Sequence, residues 1–220
     1  MLKYPCLVLD HDDTVVQSEV TVNYPCFLLA LEKFRPGETM DYPEFVDWCF
    51  RHEFTDFLRI KYGFTDAELL EEYHMWQEYS KTHIPPAYTG IREVILEQKR
   101  RGGLVCVASL SSRENILRDY RIHFGMEPDL VFSCNDPRPQ RKPAAYPLET
   151  IMAQYGLAPS EILMVDDLKA GYDMAAAACV PIAFAGWSRI TCPEITKQMT
   201  GLCDLSFDST EAFYNYLFEE

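Results

Sequence analysis

Short apolar runs, most of which stop at a polar or acidic residue, constrain this chain most. Cys6-Leu7-Val8-Leu9 stops at Asp10, and similar runs recur at Leu104 to Ala108, Leu130 to Phe132, Ile162 to Val165 and Pro181 to Ala185, with a weaker one at Leu205 to Phe207. A strand wetted on one face alternates apolar and polar residues. A run that is apolar throughout has both faces covered, as inner strands of a parallel sheet do. Helix-like segments separate the later runs. Thr89 to Arg101 sets Ile91, Val94, Ile95 and Gln98 on one face and ends in Lys99-Arg100-Arg101-Gly102-Gly103, cations at the negative helix end followed by a glycine stop. Strand and helix alternating at this spacing predict an α/β fold built on a doubly wound, Rossmann-like parallel sheet.

One stretch interrupts the alternation. From about Val15 to His83 there is no strand signal, and helical signals span Val22 to Phe34, Pro43 to Tyr62 and Thr65 to Lys81. The last opens with a capping box, Thr65-Asp66-Ala67-Glu68, and a second box is expected at Asp208 to Glu211 before a final helix. The expected organisation is a core of residues 1–15 and 86–220, with a small all-helical cap domain, residues 16–85, inserted after the first strand. Such an insertion is placed to cover the carboxyl edge of the sheet, where open α/β proteins hold their ligands. Trp48, Phe54, Phe57, Tyr73 and Trp76 are read mostly as the core of that bundle.

Composition narrows the partners. Twenty Lys and Arg against 34 Asp and Glu give a formal charge of −14, a field that repels phosphate backbones and argues against nucleic acid. An anionic substrate then needs a local cation. The longest apolar stretches fall well short of the roughly 20 residues a membrane-spanning helix needs. Met1 to Pro5 shows no signal-peptide pattern, and the eight cysteines are scattered without a C-x-x-C pair. Buried reduced thiols and a cytoplasmic location are the expectation.

The strand ends carry the chemistry. Asp10-His11-Asp12-Asp13-Thr14 follows the first run, Ser109 the second and Asp166-Asp167 the fourth, while the loop Arg138 to Pro143 offers Lys142. An acidic group of this kind also suits a plain turn. In a parallel sheet, however, all these side chains converge on one edge. Clustered carboxylates repel one another unless a cation sits among them, and hard oxygen donors with water select Mg2+. Ser109 is suited to donate to a phosphoryl oxygen, and Lys142 to neutralise charge that grows during phosphoryl transfer. Asp10 is then the candidate nucleophile, and Asp12, two residues on, the candidate acid and base.

These residues resemble the motifs of the haloacid dehalogenase superfamily, in its capped phosphatase branch. Its D-x-D-x-T matches Asp10 to Thr14, its strand ending in Ser or Thr matches Val105 to Ser109, its Lys-Pro matches Lys142-Pro143, and its acidic motif matches Val165-Asp166-Asp167 followed by Gly171. The resemblance spans nearly the whole chain. It implies a magnesium-dependent phosphatase acting on a small phosphorylated metabolite through an aspartyl-phosphate. It further implies a metal held by Asp10, the backbone carbonyl of Asp12 and Asp167 with help from Asp166, and phosphate held by Ser109, the Leu110 backbone N–H and Lys142. Proteins of this kind lead one to expect a monomer or weak dimer. Arg51, His52 and Arg59 are cap candidates for the far end of a substrate, although a solvated helix face is the favoured reading of each one taken singly.

Departures from the pattern carry information too. Asp13 stands where relatives have glycine, as does Cys179 after the alanine-rich helix Ala175 to Ala178. Asp tolerates unusual backbone angles better than most residues. β-Phosphoglucomutase-like proteins carry a histidine where this chain has Val22, which favours hydrolysis over a mutase reaction. A phosphomutase and a non-catalytic phospholigand-binding protein remain the alternatives, and His11 is read as packing or as influencing a leaving group.

Overall fold

The computed structural model describes residues 2–219. Among them, strands β1 (Cys6–Leu9), β2 (Leu104–Ala108), β3 (Leu130–Phe132), β4 (Ile162–Asp166), β5 (Ile182–Ala185) and β6 (Leu205–Phe207) form one parallel sheet. The strand order is β3-β2-β1-β4-β5-β6, so β1 is central and the chain winds outward from it in both directions. This is the doubly wound α/β fold that the apolar runs predict.

The alternation of side chains along each strand explains why the runs are apolar throughout. Leu7, Leu9, Val105, Val107, Leu163 and Val165 pack on one face with α5 (Ile91–Arg100), α6 (Arg113–Phe124) and α10 (Thr210–Phe218). Cys6, Val8, Cys106, Ala108, Ile162 and Met164 pack on the other with α7 (Tyr146–Tyr155) and α8 (Lys169–Ala178). Burying one such side chain stabilises the fold by about 1.5–3 kcal/mol, so a polar residue at any of these positions is costly. The predicted face of α5, Ile91, Val94, Ile95 and Gln98, is the buried one.

The chain divides into two compact units, one holding residues up to Gln17 and from Pro86 onward, the other Ser18–Pro85. Within the core unit, the outgoing and returning segments run side by side: Gln17 N–H donates to the Pro86 carbonyl at 2.9 Å and Tyr88 N–H to that of Val15 at 3.0 Å. The second unit is helical, with a π turn at Glu19–Asn23 and α1 (Tyr24–Phe34), α2 (Tyr42–Arg51), α3 (Phe54–Tyr62) and α4 (Asp66–Thr82). Thr65 and Glu68 form the expected capping box of α4.

Two local expectations are corrected. Pro43 to Tyr62 is two helices, broken where His52 and Glu53 adopt extended ψ angles of 149° and 144°. Aromatic packing accounts for the break: Trp48 stacks on Phe57 at 5.3 Å and Phe45 meets Phe54 at 6.3 Å. Each pair is nine residues apart, which a continuous helix would set on opposite faces and about 13 Å apart along its axis. The final helix is capped by Ser209, whose hydroxyl accepts from Ala212 N–H, one residue later than the expected Asp208.

Candidate active site

Asp10 follows the last residue of the central strand. Leu9 is level with Val107 on β2 and Val165 on β4, and Asp10 N–H donates to the Val165 carbonyl at 2.9 Å. The winding of the strand order reverses between β1 and β4, and the carboxyl edge at such a switch point is where an open α/β sheet holds its ligand. The chain beyond it turns tightly: Val15 and Val16 N–H groups both donate to the His11 carbonyl, and Asp13 N–H donates back to that of Val16 at 2.8 Å. Asp13 takes up a φ of 53°, the left-handed conformation a glycine at this position supplies freely; Cys179, at 56°, does the same at the end of α8. Both departures from glycine therefore keep the glycine backbone.

Lys142 is the hub of the first charge group. Its Nζ donates to Asp10 Oδ1 and to Asp166 Oδ2, each at 2.7 Å, with all three residues buried. Burial alone would lower the lysine pKa, but the two carboxylates outweigh it and raise it above the ordinary value. Asp166 is seated from behind as well, because its Oδ1 accepts from Leu168 N–H at 2.9 Å. Gly171 gives it room. A Cβ at that position would stand 2.0 Å from Asp166 Oδ2, which gives the glycine after the acidic motif a steric reason.

Asp167 belongs to a second charge group. One of its oxygens accepts from Thr14 Oγ1 at 3.3 Å and the other from Nη2 of Arg189, whose Nη1 donates to Asp13 Oδ2 at 3.0 Å. Arg189 follows the short turn Gly186–Ser188 after β5 and is 1% exposed. Sequence reasoning missed it. The available signal was Asp13 itself, an extra acid in a cluster for which only one cation had been named.

Burial raises the pKa values of Asp166 and Asp167; Asp10 pushes each further up, and Lys142 or Arg189 opposes the rise. Asp10, Asp13, Asp166 and Asp167 are four buried carboxylates set against two buried cations, Lys142 and Arg189. With all four ionised the group carries two more negative charges than positive ones, which one divalent cation would offset. One oxygen from each of Asp10, Asp166 and Asp167 lies within 4.8 Å of the others, a hard-oxygen donor set that fits Mg2+. Asp12 is partly exposed, and its side chain is not in that group.

The other candidates occupy three settings. Ser109 follows β2, beside the level of Asp10; it is 1% exposed and its Oγ accepts from Ser111 N–H at 3.2 Å. Leu110 lies in the same turn with its side chain exposed. His11 is buried and its Nε2 lies 3.1 Å from Asp119 Oδ2 on α6, while Arg118 holds the other oxygen of Asp119 at 2.7 Å. Burial tends to raise the Asp119 pKa, but these two partners hold it below the ordinary value. This anchor fixes the loop between Asp10 and Asp12 to α6. In the helical unit, Arg51 pairs with Asp47, Arg59 with Asp56 and Asp66, and His52 lies against the Trp48 ring at 5.2 Å.

With this geometry in hand, comparison with known proteins is informative. A model of the haloacid dehalogenase-like hydrolases matches residues 7–185. No curated protein matches the chain in sequence. Among solved structures, a Lactobacillus plantarum protein with the inferred designation phosphoglycolate phosphatase has a TM-score of 0.78 at 20% identity, covering 96% of this chain and 98% of its own. CbbY from Rhodobacter sphaeroides, in complex with xylulose-1,5-bisphosphate, has a TM-score of 0.74 at 17% identity, covering 96% and 95%. A Bacteroides vulgatus protein with the inferred designation β-phosphoglucomutase has a TM-score of 0.74 at 19% identity, covering 97% and 88%. At these identities the likeness is one of fold.

Proposed function

The chain belongs to the haloacid dehalogenase-like hydrolase family, and we propose that within it the protein is a magnesium-dependent phosphatase of a small phosphorylated metabolite. The observation that carries this reading is the buried bracket in which Lys142 holds Asp10 and Asp166 at 2.7 Å each, with Asp167 within 4.8 Å. A lone acidic turn has no use for a buried lysine between two strand ends. A phosphoryl-transfer site does, because the lysine orients the nucleophile and faces the charge that develops on the transferred group.

In the proposed reaction an Asp10 carboxylate oxygen forms a bond to phosphorus as the ester P–O bond breaks. Asp12 gives a proton to the departing oxygen, then takes one from the water that cleaves the acyl phosphate, which restores both carboxyl groups. Lys142 holds one Asp10 oxygen, fixing the rotamer of the nucleophile. Ser109 and the Leu110 backbone N–H receive the phosphoryl oxygens. Asp10, the Asp12 carbonyl and Asp167 would hold the Mg2+, with Asp166 beside them; when bound, it offsets the charge of the incoming phosphate. His11, tied to Asp119, keeps the loop between the two catalytic aspartates in place.

The test is phosphate release from a generic aryl phosphate by the purified protein. Release that requires Mg2+ and is abolished by Asp10→Asn is expected. Turnover without a divalent cation, or an unimpaired Asp10→Asn variant, overturns the reading.

A further inference from the structure

Arg189 is buried on a fixed backbone. Its N–H donates to the Gly186 carbonyl at 3.1 Å, and its own carbonyl accepts from Cys192 N–H and from Thr196 Oγ1, each at 2.9 Å. The side chain therefore starts from an anchored turn after β5 and reaches two other strand ends, at Asp13 beyond β1 and Asp167 beyond β4. Burying a guanidinium is costly unless carboxylates face it, and here they face it from two directions. Asp13, set in a left-handed turn where a glycine would be easier, supplies one of them. The other is a carboxylate of the group that fits a divalent cation.

We propose that Arg189 is a resident counter-cation of the acidic cluster, carried by Asp13 and competing with the divalent cation for Asp167. This rests on the cation-dependent reading given above. One charge cannot face Asp167 without weakening the attraction of that carboxylate for another, because like charges a few ångströms apart in a buried site repel strongly. Arg189 is thus a positioning residue: its contact holds the Asp167 carboxylate in place before the divalent cation arrives, and it lowers the affinity with which that cation is taken up. Asp13 is what makes a buried arginine tolerable in this place. Binding of the divalent cation and the Arg189–Asp167 contact are linked, each weakening the other.

The experiment is a Mn2+ titration of the full chain without substrate, with free Mn2+ read by electron paramagnetic resonance and folding checked by near-ultraviolet circular dichroism. Arg189→Gln is expected to bind Mn2+ roughly tenfold tighter than wild type. The double variant Asp13→Asn with Arg189→Gln removes one charge of each sign and leaves the net charge of the cluster unchanged. It is expected to bind severalfold tighter than wild type, and it decides the matter if the single variant does not fold. Wild-type affinity or weaker binding in the folded variants overturns the competition while leaving the cation site standing. A wild-type protein that binds no Mn2+ overturns the cation reading itself, and this inference with it.

Discussion

In the core unit, Lys142 and Arg189 are 4% and 1% exposed, and each binds carboxylates from distant parts of the chain. Between Ser18 and Pro85, Lys33, Arg35, Arg51, Arg59, Lys61 and Lys81 are each paired with an acid of the same unit, and their side chains are 24% to 62% exposed. The first arrangement costs desolvation and persists only where the surrounding fold holds the charges together. The second costs little and contributes little. Buried charge is therefore concentrated at the strand ends, and exposed charge is spread over the helices. Glu72 departs from this pattern in the helical unit. It is 5% exposed, and burial pushes its carboxyl up to about 7.

Lys142→Ala attacks the contrast where it is sharpest. It leaves Asp10 and Asp166 buried without their lysine, and a loss of about 3–5 kcal/mol in urea unfolding is expected, together with loss of phosphate release. A loss below about 1 kcal/mol would place Lys142 among the ordinary surface pairs.

Glu72→Gln probes that buried acid. The folded-state pKa lies above the ordinary 4.5, so the stability linked to this proton is fully present below about pH 4.5 and is lost as pH rises through 7. A shift of that size corresponds to about 3 kcal/mol. The variant is expected to match wild type near pH 4 and to exceed its stability by up to that amount near pH 8. Parallel stability profiles for the two proteins would show that Glu72 is not held neutral by burial.

Arg51→Ala lies at the small end. Arg51 meets Asp47 one helical turn away with 62% of its side chain exposed, and a change within about 0.5 kcal/mol in the same unfolding assay is expected. A change above about 1.5 kcal/mol would erase the distinction between the two kinds of pair.

Much of this was legible in the sequence, for physical reasons. Apolar runs such as Ile162 to Val165 announce strands covered on both faces, and parallel order brings Asp10, Ser109 and Asp166-Asp167 to one edge without further information. Lys142 was singled out because a phosphoryl-transfer reading calls for a cation, and the fold sets it between Asp10 and Asp166. Arg189 was not, because no local pattern marks an arginine that finds its partners 22 and 176 residues away. Asp119, 108 residues from His11, was hidden in the same way. The break between α2 and α3 escaped because apolar periodicity runs on through His52 and Glu53. Ring packing among Phe45, Trp48, Phe54 and Phe57 decides it, and that packing is a tertiary property.

The stereochemistry of transfer at phosphorus bears most directly on the role given to Asp10. With an aryl phosphorothioate made chiral by oxygen isotopes, two in-line displacements, first by Asp10 and then by water, produce inorganic thiophosphate with retained configuration. Retention is the expected result; inversion would mean that water attacks the ester directly and that Asp10 never carries the phosphoryl group.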